Sequence, residues 1–167
     1  MLKKLLLVVM LILPLGAVAQ KFGHTNSQAI ILEMPEYKKA ETDLEALQKK
    51  YQAEFEKSQD EFSKKAQQFQ KDMAENTLPQ TIADRRQKEL QDMGQRMEAF
   101  QQEAMQSIQK AQMDLMAPIY KKLNDAIQKV GKKEGLIYVF DMASQTIPYV
   151  DEQQSKDVTA QIKAELK

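Results

Sequence analysis

Cysteine and tryptophan are absent from this 167-residue chain, and histidine occurs once. Without cysteine there is no disulfide, no thiolate nucleophile and no sulfur ligand for zinc, so an oxidising compartment adds nothing covalent to stability. With His24 as the lone imidazole, the usual zinc sites and the Ser-His-Asp and Cys-His arrangements lack the groups they need. His24 falls in a predicted strand and is expected to be an ordinary residue of the fold. Glycine and proline number five each, and no Gly-rich phosphate loop is present. Carboxylates are plentiful, but on exposed helices they serve solubility and i,i+4 pairing. No enzyme activity, cofactor or metal is expected.

Glutamine is abundant, 29% of residues are charged and the mean hydropathy is −0.56. With so little glycine and proline, that combination fits long helices with mostly solvated faces. Disorder is the competing reading, but the apolar residues recur too regularly for it.

The first residues read as an export signal. Lys3 and Lys4 form a basic start, an apolar run follows from Leu5 to Leu13, and Pro14 and Gly16 break it. Ala17-Val18-Ala19 then supplies the small-x-small pattern of a signal-peptide cleavage site, placing the cut between Ala19 and Gln20. A membrane span needs roughly 20 apolar residues, and this run is shorter and ends in small residues. An uncleaved membrane anchor is the alternative; a lipid anchor would need a cysteine at the cut. The mature chain is therefore expected outside the cytoplasm, in a Gram-negative periplasm, and to work without nucleotide. Removing residues 1–19 takes away two lysines and no acid, leaving 22 basic against 24 acidic side chains. Nucleic acid binding needs a basic face, which this balance does not provide.

Residues 21–27 suggest a short strand and turn, after which Ser27 is placed to cap a brief helix through Met34. Pro35 enforces a boundary. From Glu36 apolar residues recur at Tyr37, Ala40, Leu44, Leu47, Tyr51, Phe55, Phe62, Ala66, Phe69 and Met73, with Ser58 on the same stripe. The mean step of about 3.6 is the helical period and not the 3.5 of a strict heptad, which predicts a nearly straight helix. Residues 76–79 (Asn-Thr-Leu-Pro) interrupt the pattern as a hairpin tip. A second stripe runs Ile82, Leu90, Met93, Met97, Phe100, Ala104, Ile108, Ala111, Leu115, Ile119, Leu123, Ile127 and Val130, and Gly131 and Gly135 are expected to end it. Lys132 and Lys133 suit the negative end of its dipole. The two arms would be roughly 60 and 75 Å long.

After Gly135 the period becomes strand-like. Leu136–Phe140 is a near-continuous apolar run that calls for burial on both faces. Thr146–Val150 is a poorer, edge-type strand containing Pro148. A terminal helix is expected from Lys156 to Leu166, with Val158, Ile162 and Leu166 on one side. The predicted fold is mainly α: a hairpin arm over 36–130, inserted in a small α/β body formed by 20–35 and 131–167. About three short strands make a marginal sheet, so oligomerisation through the body is expected, with Phe22, Leu136, Ile137, Tyr138, Val139 and Phe140 as candidate contact residues.

Taken in order, several segments resemble the Skp (OmpH) family of periplasmic chaperones. They are Lys21-Phe22-Gly23-His24-Thr25-Asn26-Ser27-Gln28, Met34-Pro35-Glu36-Tyr37, Pro118-Ile119, Gly135-Leu136-Ile137-Tyr138-Val139-Phe140-Asp141 and Asp157-Val158-Thr159. The resemblance implies a homotrimer in which three bodies build a small β-barrel and three hairpins surround a cavity. It further implies that unfolded outer-membrane proteins are held there without ATP. The best-known members carry strongly basic arm ends, whereas residues 57–88 here hold seven basic and five acidic side chains. Electrostatic capture of anionic lipid or lipopolysaccharide is correspondingly weakly supported. A structural coiled-coil spacer or tether of the envelope is the alternative function.

Methionines concentrate in the hairpin. Met73, Met93 and Met97, with Phe62 and Phe69, sit on the stripes, where seam packing and client contact are both open readings. Met105, Met113 and Met116 lie off the main stripe and are the stronger candidates for client contact, because flexible, polarizable thioethers suit many unrelated partners. Gly94 and Pro118 interrupt good helix formers and are candidate hinges; Pro118 would mark a bend into the body.

Overall fold

The computed structural model describes residues 21–144 and 146–167. The export signal and its cut at Ala19–Gln20 lie outside the described residues. In chain order the elements are β1 (Phe22–Thr25), α1 (Ser27–Ile31), α2 (Pro35–Ala74), α3 (Gln80–Glu134), β2 (Tyr138–Asp141), one 3₁₀ turn (Met142–Ser144), β3 (Ser155–Asp157) and α4 (Thr159–Glu165). No described helix is long and apolar enough to cross a membrane. The chain divides into two compact units: one ends at Ile30 and resumes over Lys122–Lys167, and the other is Ile31–Lys121.

The Ile31–Lys121 unit is an antiparallel helix pair. Pro35 takes the first position of α2, where its missing N–H costs nothing. The 40 residues of α2 span about 60 Å. At its end the Glu75 and Asn76 amides return to Lys71 O and Met73 O. Asn76 adopts φ 52°, a left-handed conformation that asparagine tolerates, and this turns the chain. On the far side the Pro79 carbonyl accepts the Ile82 and Ala83 amides, starting α3. Three cross-helix pairs set the direction: Asp72 with Arg86, Lys65 with Glu89, and the Tyr51 and Phe100 rings at 5.8 Å. As the α2 position falls, its α3 partner rises, so the helices run antiparallel. Ala40, Ala83, Met93, Ala104 and Ile119 are buried, and the other stripe residues from Tyr37 to Phe69 are half-buried. Small residues at several buried positions let the helices approach closely.

The helix α3 is longer than periodicity suggested. It runs unbroken through Gly94, Pro118 and Gly131 to Glu134, 55 residues or about 80 Å. Gly131 therefore does not end it. Gly135 does, at φ 63°, with Leu136 N–H returning to Gly131 O at 2.9 Å and Gly135 N–H to Lys132 O at 3.3 Å. These are the paired bonds of a Schellman stop, and the left-handed residue that makes them is Gly135, not Gly131.

The other unit holds a three-stranded sheet in the order β2-β1-β3, with both pairings parallel. Phe22 faces Tyr138 on one side and Ser155 on the other. Parallel neighbours require a long connection, and between β1 and β2 that connection contains the helix pair. Gly23 is needed at the centre: a Cβ there would meet Leu136 Cδ1 at 2.6 Å and the Lys156 carbonyl oxygen at 3.3 Å. The core is Ile30, Leu123, Ala126, Val130, Val158 and Ile162. The α3 members recur at three- and four-residue steps, and Val158 and Ile162 are four apart, so each element offers one apolar face.

Four local expectations are corrected. The third strand is Ser155–Asp157, while 146–150 has no regular structure. Pro148 lacks the ladder N–H, whereas Ser155 is buried with its Oγ 2.9 Å from His24 Nδ1. The terminal helix begins at Thr159 and not Lys156, because Lys156 and Asp157 belong to that strand. The first residue pair of the Leu136–Phe140 run precedes β2, which extends to Asp141 instead. Ser27 does not cap α1; the Asn26 side chain does, accepting the Ala29 amide at 3.0 Å.

Candidate functional site

Among the described residues no cluster of three or more His, Cys, Asp or Glu could hold a metal ion. An open recess lined by Lys21, Phe22, Glu134, Leu136, Ser155 and Lys156 has its central charges joined as a Glu134–Lys156 ion pair at 2.6 Å. That pair holds the Glu134 carboxyl below its usual range. A smaller recess of about 180 Å³ between Lys65, Phe69, Arg86, Glu89 and Leu90 is below the usual size of a small-molecule pocket. Its cations are occupied by Glu89 and Asp72, and both carboxyls are lowered by the hydrogen bond each accepts. What remains as a functional surface is apolar side chains left in solvent.

In the Ile31–Lys121 unit, Met105 and Met113 are 63% and 65% exposed and Met73 is 50% exposed. Met73, assigned by periodicity to the seam stripe, therefore faces solvent at the arm end. Met116 is half-buried, as are Met97, Phe62 and Phe69, while Met93 is 8% exposed. The structure thus separates the candidates: Met93 is seam packing, and Met105 and Met113 are free surface. Tyr120, exposed as well, escaped the sequence reading. Its signal was present, since at 3.6 residues per turn Met105, Met113, Met116 and Tyr120 fall within an arc of about 80°. Together they form a stripe about 22 Å long on one flank of α3. Gly94 is half-buried with no atom within 4 Å of a Cβ placed on it, and Pro118 is exposed within continuous helix.

Because nothing crowds position 94, Gly94→Ala is expected to stabilise the helix pair by about 1 kcal/mol, the propensity difference between the two residues. A rise in the thermal midpoint followed by far-UV circular dichroism checks it.

In the sheet unit, Phe22, Tyr138 and Phe140 stack with ring centroids 6.0 to 6.4 Å apart. The register puts them on one face, with Gly23 and Thr25 buried on the other. Tyr138 is 61% exposed, and Ile137 and Tyr149 are also exposed. The apolar run expected to be buried on both faces is covered on one within this chain. Leu136, Val139 and Phe140 are half-buried.

Asp141 ties the sheet to α1. Its carboxylate accepts the Ser27 hydroxyl at 2.5 Å, the Ser27 amide at 3.0 Å and the Ala143 amide at 3.0 Å. Burial opposes the charged form, but these donors outweigh it, and the Asp141 carboxyl is held below its usual range. A lowered folded pKa favours folding above the unfolded value of about 3.9, and that contribution disappears as pH falls through the folded value. The urea midpoint should therefore drop as pH falls below about 4. In Asp141→Asn, which is lower at neutral pH, the drop should be shallower; an identical pH slope in both proteins would rule the tether out.

A family model for outer membrane protein (OmpH-like) matches residues 21–166. No curated protein matches the chain. Among solved structures, it is similar to an OmpH-like protein from Caulobacter crescentus CB15, solved as a candidate outer membrane chaperone. The TM-score is 0.74 at 15% identity, over 88% of this chain and 83% of that one. At such identity the likeness speaks for the fold, while the family match spans nearly every described residue. The chain belongs to the OmpH-like outer membrane protein family.

Proposed function

We propose that this protein is an ATP-independent holdase of the periplasm that binds unfolded outer-membrane β-barrel proteins and prevents their aggregation. The observation that carries the reading is the stripe on α3 in which Met105, Met113 and Tyr120 are exposed and Met116 is half-buried. Exposed thioethers flanking a helix pair form an adaptable apolar surface with no fixed shape to match. Family membership and the C. crescentus relative support the chaperone role.

The working form is a homotrimer. One chain leaves Tyr138 and Ile137 exposed and the stacked Phe22 and Phe140 rings half-buried, and a three-stranded sheet of this size is marginal by itself. Three copies surround a cavity, each supplying weak contacts, and the sum holds a client through multivalency. Gly94 lets the arms adjust to client size. Release follows from the client folding elsewhere, with no chemical step. Anionic lipid is a minor partner at most, since Lys65 and Arg86 near the arm end are paired with carboxylates.

The test is light scattering after diluting a urea-unfolded outer-membrane β-barrel protein into buffer, with and without the mature chain and without ATP. Scattering abolished near one trimer per client is the expected result. Undiminished scattering in the presence of folded, helical protein would overturn the reading and favour an envelope spacer.

A further inference from the structure

The chain has neither cysteine nor tryptophan, so its thioethers are the side chains most open to two-electron oxidants. They are not equally open. Met73, Met105 and Met113 stand half or more in solvent, whereas Met34 and Met93 are buried. All five belong to the Ile31–Lys121 unit, so the buried pair is an internal reference for the exposed three. Met105 and Met113 are also surface on which the holdase reading relies, and Met73 adds exposed apolar surface at the arm end.

We propose that Met73, Met105 and Met113 are a reversible oxidation site through which hydroperoxides weaken client holding; this rests on the function proposed above. In the step, a sulfur lone pair attacks one peroxide oxygen. An S–O bond forms as the O–O bond breaks, sulfur loses two electrons, and hydrogen peroxide is reduced to water. Each thioether becomes a sulfoxide. That group is polar and strongly hydrogen-bonding, so it no longer favours apolar client surface over water. The helices survive because the exposed sulfurs pack against little of the seam. Reductases specific for the two sulfoxide epimers restore the thioethers with a dithiol as reductant, which is oxidised to a disulfide while the sulfoxide oxygen leaves as water.

The experiment treats folded mature protein with hydrogen peroxide, maps added oxygen by peptide mass spectrometry, and measures client holding by light scattering. Met73, Met105 and Met113 should gain oxygen well before Met34 and Met93, helicity should persist, and client affinity should fall by about tenfold. Treatment with both reductases should recover it. A Met73→Leu/Met105→Leu/Met113→Leu variant, compared with its own untreated sample, should lose much less on oxidation. Equal reactivity of all five methionines would overturn the site. Selective oxidation with holding intact, or the same loss in the leucine variant, would overturn the switch. Untreated protein that holds no client would overturn the holdase function, and the switch with it, while the mass map still reports the oxidation site separately.

Discussion

Replacing Ile162 by Ala should destabilise the sheet unit by about 2–5 kcal/mol, the range for truncating a fully buried branched side chain. Ile162 in α4 and Val158, the residue before it begins, are both 0% exposed, and together they are the apolar side chains this segment offers the core. The seven-residue helix α4 is too short to persist without that packing. Domains are stable by only about 5–15 kcal/mol, and this unit has few other large buried residues, chiefly Ile30, Leu123 and Val130. Urea unfolding followed by tyrosine fluorescence, in a background with Tyr37, Tyr51 and Tyr120 changed to Phe so that only Tyr138 and Tyr149 of the sheet unit report, should shift to a much lower midpoint. Far-UV circular dichroism should change less, because α2 and α3 contribute most of the helix. Leu32→Ala, at an exposed position, should stay within about 0.5 kcal/mol of the parent. An Ile162→Ala midpoint equal to that control would show that α4 contributes little to this core.

Changing Met105, Met113 and Met116 together to Gln should lower client affinity by roughly tenfold to a hundredfold. The estimate takes about 0.5–1 kcal/mol of apolar contact per side chain, partly exposed before binding, with each 1.4 kcal/mol worth about a factor of ten. Repetition of the stripe in an oligomer would push the loss toward the upper end. Glutamine and methionine have similar helix propensities, so ellipticity should be retained and the loss assignable to the surface. Met116, the most covered of the three, should contribute least when changed alone. Titration of a fluorescently labelled unfolded client measures both; unchanged affinity in the triple variant would remove the stripe from the binding surface.

The hairpin was legible because its information is local. A 3.6-residue apolar period, Pro35 at one helix start and an Asn-Thr-Leu-Pro interruption each act within a turn or two of chain. The helix ends lie within a few residues of where the period places them, and of the two glycines expected to end α3, Gly131 lies inside the helix and Gly135 stops it. A glycine in mid-helix is tolerated at a cost of about 1 kcal/mol. Only the one at positive φ, Gly135, releases the chain.

The strands were less legible, and Ser155–Asp157 shows why. Its sequence carries no apolar alternation; it is a strand because β1 pairs with it and because His24 and Thr25 reach across to Ser155 and Thr159. Thr146–Val150 has the better strand composition and no such partner. The Asp141–Ser27 tether joins residues remote in sequence, beyond what any periodicity could reveal.

The sequence by itself determined the two long helices, the turn between them, the absence of redox and metal chemistry based on cysteine, and the ordered segments that carry the family resemblance. Those follow from composition and from interactions between near neighbours along the chain. Only the tertiary structure decided the parallel order β2-β1-β3, the identity of the third strand, and which methionines are packed and which are free. Strand pairing and exposure depend on what the rest of the fold brings alongside a residue: Met93 and Met105 are equally apolar, and only the partner helix distinguishes the buried one from the exposed one.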